Sequence, residues 1–454
     1  MSTQNKNAFW SLFSSVKLAL FLLFTLATTS IIGTIVPQNN PPEFYIKLYG
    51  ANLARFMQTL GVPDMYNSWW FIGLLILFSL NLIVCSLERI PNVWRLVTQD
   101  NLKTNPAKLE KMGRRRIIPL PGTSMGEAVA ETASFFVRQG WKVAKRDKDG
   151  GTLFFAQKGA WTRFGVYLVH SSILIILTGA IIGSPTVARK FFRAPNFAFK
   201  GSVMLPEGRA TNFVYSSQNG REIPLGFTVR CDHFDIEYYS NGMPKDYRAK
   251  LTVIDHGKIV LQRDIEVNKP LRYKGITFYQ ASYQPYPSFI VQVTNKKTGV
   301  EKKDVIPARE QIDWKKGGAR FGIINMQTRG QIVERIKVWF TDNQGEPSEF
   351  WIEPNREAVI KRPSGEFLFK AKQLYATGLQ ISKDPGVWLV YLGCALMLVG
   401  LTVAFFMSHR KIWAFVSEKE GQITVLFAGS ANKNKLGFEK TFTAFIDKIK
   451  GFAS

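Results

Sequence analysis

Four apolar runs of about 20 residues, none holding a Lys, Arg, Asp or Glu, constrain this chain more than anything else in it. They are Leu18–Val36, Ser68–Leu87, Phe164–Gly183 and Val387–Met407, each long enough as a helix to cross a hydrocarbon core of about 30 Å. In that medium every backbone amide has to be satisfied within its own segment, so helices are the solution open to such runs. The 46% hydrophobic content of the 454 residues is thus spread unevenly, with these four as its long charge-free runs. The first run ends in GTIVPQNNPP without a small-x-small cleavage site, so it is expected to remain as an anchor.

A net charge of +25 raises the question of nucleic acid, and its distribution answers it. The stretch 88–160 has 14 basic and 7 acidic residues and the tail 408–454 has 8 and 4, whereas the short loop 37–67 has 2 of each. That asymmetry is the positive-inside pattern, which assigns residues 1–17, 88–160 and 408–454 to the cytoplasm and 37–67 to the other side. The long segment 185–384, with 32 basic and 21 acidic residues, then falls outside the cytoplasm; long domains translocate largely regardless of charge. Membrane topology thus explains much of the charge, and no nucleic-acid partner is expected.

The regions between the spans carry folding signals of their own. In TSMGEAVAETASFFVRQG, Ser124 and Glu127 form a capping-box pair and Gly140 ends the helix. WKVAKR, the turn DKDGG and TLFFAQKG read as a hairpin running into the third span. The tail repeats the pattern with KIWAFVSEKEGQITVLFAGSANK and an amphipathic helix near Phe438–Ile449. Either hairpin would be marginal alone, so the two are expected to share one small sheet. The segment 185–384 alternates through FTVRCDHFDIEYY, RAKLTVIDHGKIVLQRDIEV, ITFYQASY, SFIVQVTNKKTGVEKKDVIP and IKVWFTDNQGEPSEFWIEP, which predicts a β-sandwich or open barrel. The fold class is therefore a polytopic α-helical membrane protein with four transmembrane helices, a large β-rich extracytoplasmic domain and a small α+β cytoplasmic part.

Chemistry-bearing motifs are few. No G-x-S-x-G, H-E-x-x-H or phosphate loop occurs. The three cysteines, Cys85, Cys231 and Cys394, form no C-x-x-C and read as small buried hydrophobes. His170 is the exception, because an ionisable group at membrane depth costs several kcal/mol and usually marks a pathway, a relay or a ligand site. It falls about 5 Å from the bilayer centre, with Tyr167 and Leu174 on the same helical face. One imidazole nitrogen can bind a metal such as haem iron while the other donates a hydrogen bond; the competing reading is an interhelical bond that only packs the bundle. His233 and His256 read as surface or packing residues of the β domain, and His409, beside Arg410 and Lys411, as part of the cytoplasmic charge anchor. Ala27, Ser30, Gly33 and Thr34 make the first span ready for close contact with a partner or sister helix. Arg114–Arg116 suits lipid phosphates or haem propionates.

Taken in order, SVKLALFLLFTLATTSIIGTIVPQ, the span with His170, the N-x-P-L-x-Y-x-G-x-x-F-Y-Q block from Asn268 to Gln280, and D-P-G at Asp384–Gly386 resemble the ResB family of System II cytochrome c biogenesis proteins. The resemblance covers essentially the whole chain. It implies a subunit that, with a ResC (CcsA) membrane partner, moves haem b across the inner membrane and supports its attachment to the C-x-x-C-H thiols of apocytochrome c. It further implies that His170 is one axial ligand of that haem, the second coming from the partner. The W-W-D signature belongs to the partner; here Trp69-Trp70 is followed by Phe71, and the pair reads as an interfacial anchor. The chain is therefore expected to be a non-catalytic or co-catalytic subunit of a haem lyase complex in a bacterial inner membrane. Phe278, Tyr279, Tyr283 and Tyr286 would offer aromatic surface to haem or peptide, or else form a core strand. The alternative function is a membrane receptor or scaffold whose β domain binds an extracytoplasmic ligand.

Overall fold

The computed structural model describes residues 7–453 apart from 39, 149, 240–242 and 330–331. It contains four helices long and apolar enough to span a bilayer: Val16–Ile35, Trp69–Thr98, Gly165–Ile182 and Val387–Phe406. The second continues eleven residues past the expected end at Leu87, carrying Glu88, Arg89 and Arg95 beyond the apolar part and passing through Pro91 without ending. Asn81 ties its apolar part to the chain entering the first span, with the side-chain amide donating to the carbonyls of Phe13 at 2.8 Å and Ser15 at 3.2 Å. In a medium without water such bonds act as interhelical glue.

Small residues set the approach of the third and fourth spans. Gly165 and Ser172 on one, and Gly393 and Gly400 on the other, are buried at seven-residue spacing. A Cβ at position 400 would lie 3.0 Å from the Val169 backbone nitrogen, and one at 393 would lie 2.9 Å from the Ser172 carbonyl oxygen. In the first span Gly33 faces Met65 and Tyr66 of the same chain, and the Tyr66 hydroxyl reaches the Ser30 carbonyl, while Ala27 and Thr34 remain exposed. Trp70 fixes the start of the second span by donating its indole N–H to the Leu60 carbonyl at 2.8 Å, and Trp69 is exposed.

Between the second and third spans come β1 (Arg115–Pro119), the helix Met125–Arg138, β2 (Val143–Lys148) and β3 (Gly151–Lys158). The capping box forms: Glu127 N–H donates to Ser124 Oγ, and Ser124 N–H to the Glu127 carboxylate at 2.9 Å. Part of the DKDGG turn, Asp149, lies outside the described residues.

The segment between the third and fourth spans is a compact unit of its own. Its strands are β4 (Phe199–Pro206), β5 (Ala210–Ser216), β6 (Glu222–Tyr238), β7 (Pro244–Asp255), β8 (Lys258–Ile265), β9 (Leu271–Tyr273), β10 (Ile276–Asn295), β11 (Glu301–Pro307), β12 (Gln311–Trp314), β13 (Ala319–Arg329), β14 (Ile332–Thr341), β15 (Ser348–Ile352), β16 (Glu357–Arg362) and β17 (Gly365–Lys383). The main sheet runs β11-β10-β17-β4-β5-β6-β7-β8, all antiparallel, with β9 and β16 paired beside β10 and β17. One half curls around a core shared by Val229, Leu251, Ile265, Phe278 and Ile381. The other half is covered by the sheet β12-β13-β14-β15 over Phe289, Phe321, Phe340 and Phe369. Curled sheet and sandwich thus occur side by side. At its base Gly183 leaves room for the Asp384 carboxylate, which accepts the Gly386 N–H at 2.9 Å as the chain turns into the fourth span.

After the fourth span, β18 (Arg410–Lys419) and β19 (Gln422–Ala431) lead to the helix Lys435–Ala453. The two hairpins join in one sheet, ordered β1-β19-β18-β3-β2. Phe135, Phe136, Phe427, Phe438 and Phe445 pack between one face and its two helices. Because Arg410 pairs with Lys158, the chain enters the third span and leaves the fourth on the same side of the bilayer.

Candidate functional site

His170 is on the second turn of the third span, facing the second. Its Nδ1 lies 2.9 Å from the Ser86 hydroxyl, and its ring stands edge-on to that of Tyr167 with centroids 6.2 Å apart. No described residue bonds Nε2. If Nδ1 carries the proton and donates to Ser86 Oγ, the Nε2 lone pair is left for a metal, the tautomer a metal-bound imidazole requires. Leu174, one turn on, packs against the cluster of Leu22, Leu26, Phe71, Phe78 and Leu82, so it belongs to the packing of the first three spans. Tyr167 lies on the same flank as Phe164 and Ser171, beside a cavity of about 350 Å³ whose lining is mostly apolar.

One turn beyond Ser86, Arg89 is exposed and bonds no described acid, yet stands close enough to act electrostatically on His170, Tyr167 and Cys85. The apolar count that ended the second span at Leu87 hid this residue. The signal that would have found it is its spacing of three from Ser86.

The other histidines are committed elsewhere. His409 is buried rather than part of a surface charge anchor: Arg163 Nε donates to its Nδ1 at 3.3 Å, and its Nε2 donates to Gln157 Oε1 at 2.9 Å. Burial, then Lys411 and Arg163, pull its value down to about 4, so the ring is neutral at physiological pH. A buried imidazole between two cations cannot afford a third charge, which overturns the expectation drawn from its basic neighbours. His233 bridges Glu207 at 3.2 Å and Asp235 at 2.6 Å, and His256 occupies the exposed β7–β8 turn with φ +49°. Among the described residues no group of three His, Cys, Asp or Glu could hold a metal ion.

Cys85 and Cys231 are buried, but Cys394 is exposed on the fourth span, unlike the expected set of three buried thiols. Burial first, then Glu207 and Asp232, push the Cys231 thiol up to about 12. The Asn268–Gln280 block has a conformational explanation: Asn268, Lys274 and Gly275 take positive φ, and the last two make the tight turn between β9 and β10. Phe278 is buried in the core, Tyr283 packs against Tyr247 and Tyr375, and Tyr279 alone of the four aromatics is clearly open to solvent.

Four spanning helices, a β-rich unit between the last two and a histidine held at membrane depth define a polytopic membrane protein with an inserted β domain. The chain belongs to the ResB-like family, whose sequence model matches residues 16–352 and 327–443. It is similar to the cytochrome c biogenesis protein CcsB of Gloeobacter violaceus, with 30% identity covering 96% of this chain and 90% of that protein. The proteins of the same name from Synechococcus sp. (strain JA-2-3B'a(2-13)) and Microcystis aeruginosa are each 27% identical, covering 97% and 96% of this chain and 92% and 94% of their own lengths.

Proposed function

We propose that this chain is the ResB-like subunit of a cytochrome c maturation complex in a bacterial inner membrane. In that reading His170 Nε2 supplies one axial ligand to a haem b in transit, and a CcsA-like partner supplies the other. The observation that carries it is the Ser86 Oγ to His170 Nδ1 contact, which orients the ring and leaves Nε2 unbonded. Arg89, which has no ion pair among the described residues, adds a cation of the kind a porphyrin carboxylate seeks, and the relatives' shared name supplies the process. The sheet and both termini are cytoplasmic, following the charge asymmetry. The β domain supports the partner's external haem site or presents the C-x-x-C-H segment of apocytochrome c. Its own thiol, Cys231, is buried and protonated, which fits a scaffold rather than a redox role.

The test is haem content and absorption spectrum of the chain co-purified with its CcsA-like partner, natural against His170→Ala at matched expression. Haem should be lost in the variant, and added imidazole should restore it or shift the spectrum. Unchanged haem, spectrum and cytochrome c maturation would reduce His170 to a packing residue.

A further inference from the structure

A cavity of about 280 Å³ opens where the five-stranded sheet meets the ends of the third and fourth spans. Its lining includes Lys108, Arg163 and Lys411, and no carboxylate. None of these cations has an ion pair among the described residues: Arg163 uses only Nε, on His409, and Lys411 lies over the Phe155 ring at 5.9 Å. Burial and the adjacent Arg163 push Lys411 below its ordinary value. His409, held neutral, places no proton demand on the cavity, and Ser430 and Asn432 add neutral polar groups to its wall. Trp413 also lines it and is 5% exposed, with a buried indole N–H that has no acceptor among the described residues. Collecting three cations without an anion is electrostatically unfavourable, and one bound anion would offset their repulsion and offer an acceptor to donors now without one.

Depth identifies the anion's source. Arg163 stands two residues before the third spanning helix begins, and Lys411 five after the fourth ends. Both are therefore at the level of lipid headgroups, where basic pockets between helix ends take up phosphate. We propose that this cavity binds the phosphate of an anionic membrane lipid, with Lys108, Arg163 and Lys411 as its cationic lining.

The test uses the full-length protein in mild detergent, titrated with dioleoylphosphatidylglycerol, dioleoylphosphatidylcholine or inorganic phosphate, and followed by thermal unfolding and native mass spectrometry. Phosphatidylglycerol should raise the unfolding temperature and stay bound where phosphatidylcholine does not. Lys108→Gln/Lys411→Gln should weaken it about tenfold or more, and Lys108→Gln, at an exposed position, several-fold. Lys145→Gln/Arg146→Gln, on the exposed strand β2, should change nothing. Protection by inorganic phosphate alone, lost in the same variants, would keep the phosphate chemistry and assign a soluble source. Phosphatidylglycerol binding equal in all proteins, or absent from the natural one, overturns the proposal.

Discussion

Replacing Ser86 by alanine removes one hydroxyl and leaves His170 in place, so it separates ligation from orientation. The bond at 2.9 Å is a neutral one, and its loss should lower stability by only about 0.5–1.5 kcal/mol. On the proposed ligation the cost to haem binding is larger. An imidazole without its outer partner loses both its preferred tautomer and its ring orientation, which typically weakens metal binding 10–100-fold, about 1.4–2.7 kcal/mol. The complex of Ser86→Ala with its partner should therefore keep its yield and nearly its unfolding temperature while its haem-to-protein ratio falls when haem is limiting. Ser86→Thr, which keeps the hydroxyl, should recover most of it. Haem titration monitored by absorption reads the affinity directly. Equal affinity for natural and Ser86→Ala complexes, with His170→Ala still devoid of haem, would refute the idea that the hydroxyl orients the ligand.

Two further outcomes follow from the packing and from the β domain. Gly400→Leu would drive a side chain into Val169 and the Gly165 carbonyl, so the third and fourth spans must separate; a loss of about 1–3 kcal/mol should appear as a lower unfolding temperature in detergent, with Gly73→Leu, where a Cβ meets nothing, as the mild control. Asp342 is enclosed with Arg362, which it meets at 2.8 Å; burial pushes its carboxyl up, but bonds from Ser364, Arg362 and the Ser364 and Gln344 backbones outweigh that and leave it at about 2. Its folded value lies below the unfolded one near 3.9, so its contribution, on the order of 2 kcal/mol, is complete well above pH 4 and lost as pH falls towards 2. The stability gap between natural protein and Asp342→Asn should shrink over that interval, and a gap that stays constant would count against this assignment.

The spanning helices were legible because length and freedom from charge are read directly from the chain, and the capped helix because Ser124 and Glu127 meet through local bonds. The second span's extension was not, since Glu88, Arg89 and Arg95 look like a boundary when only apolar content is counted. Strand β17 escaped notice although it pairs with β10, β4 and β16, because Lys370, Lys372 and Gln373 dilute its apolar content while its inward residues include Ala371, Ala376 and Gly378. Its Gly378 is explained by Ser282 and Met204, contacts from distant strands. His170 stood out as the ionisable residue within a span, but Ser86 and Asn81 did not, because a hydroxyl or amide in a long apolar run acquires meaning only from what faces it. His409 follows the same rule: its sequence neighbours suggest a solvated charge cluster, whereas in space its ring is buried and both nitrogens are bonded, to Gln157 and Arg163.

The strand order of the five-stranded sheet bears on how the chain is made. The last hairpin, β18 with β19, inserts between β1 and β3, which otherwise share no edge. During synthesis β1 and the β2–β3 hairpin therefore wait with open edges until both remaining spans and the whole β domain have been produced. Closing the sheet requires that the third and fourth spans have crossed the membrane and returned, because only then can Arg410 reach Lys158. A chain that inserts with the wrong number of crossings cannot bring β18 beside β3, so this sheet closes only on correctly threaded molecules.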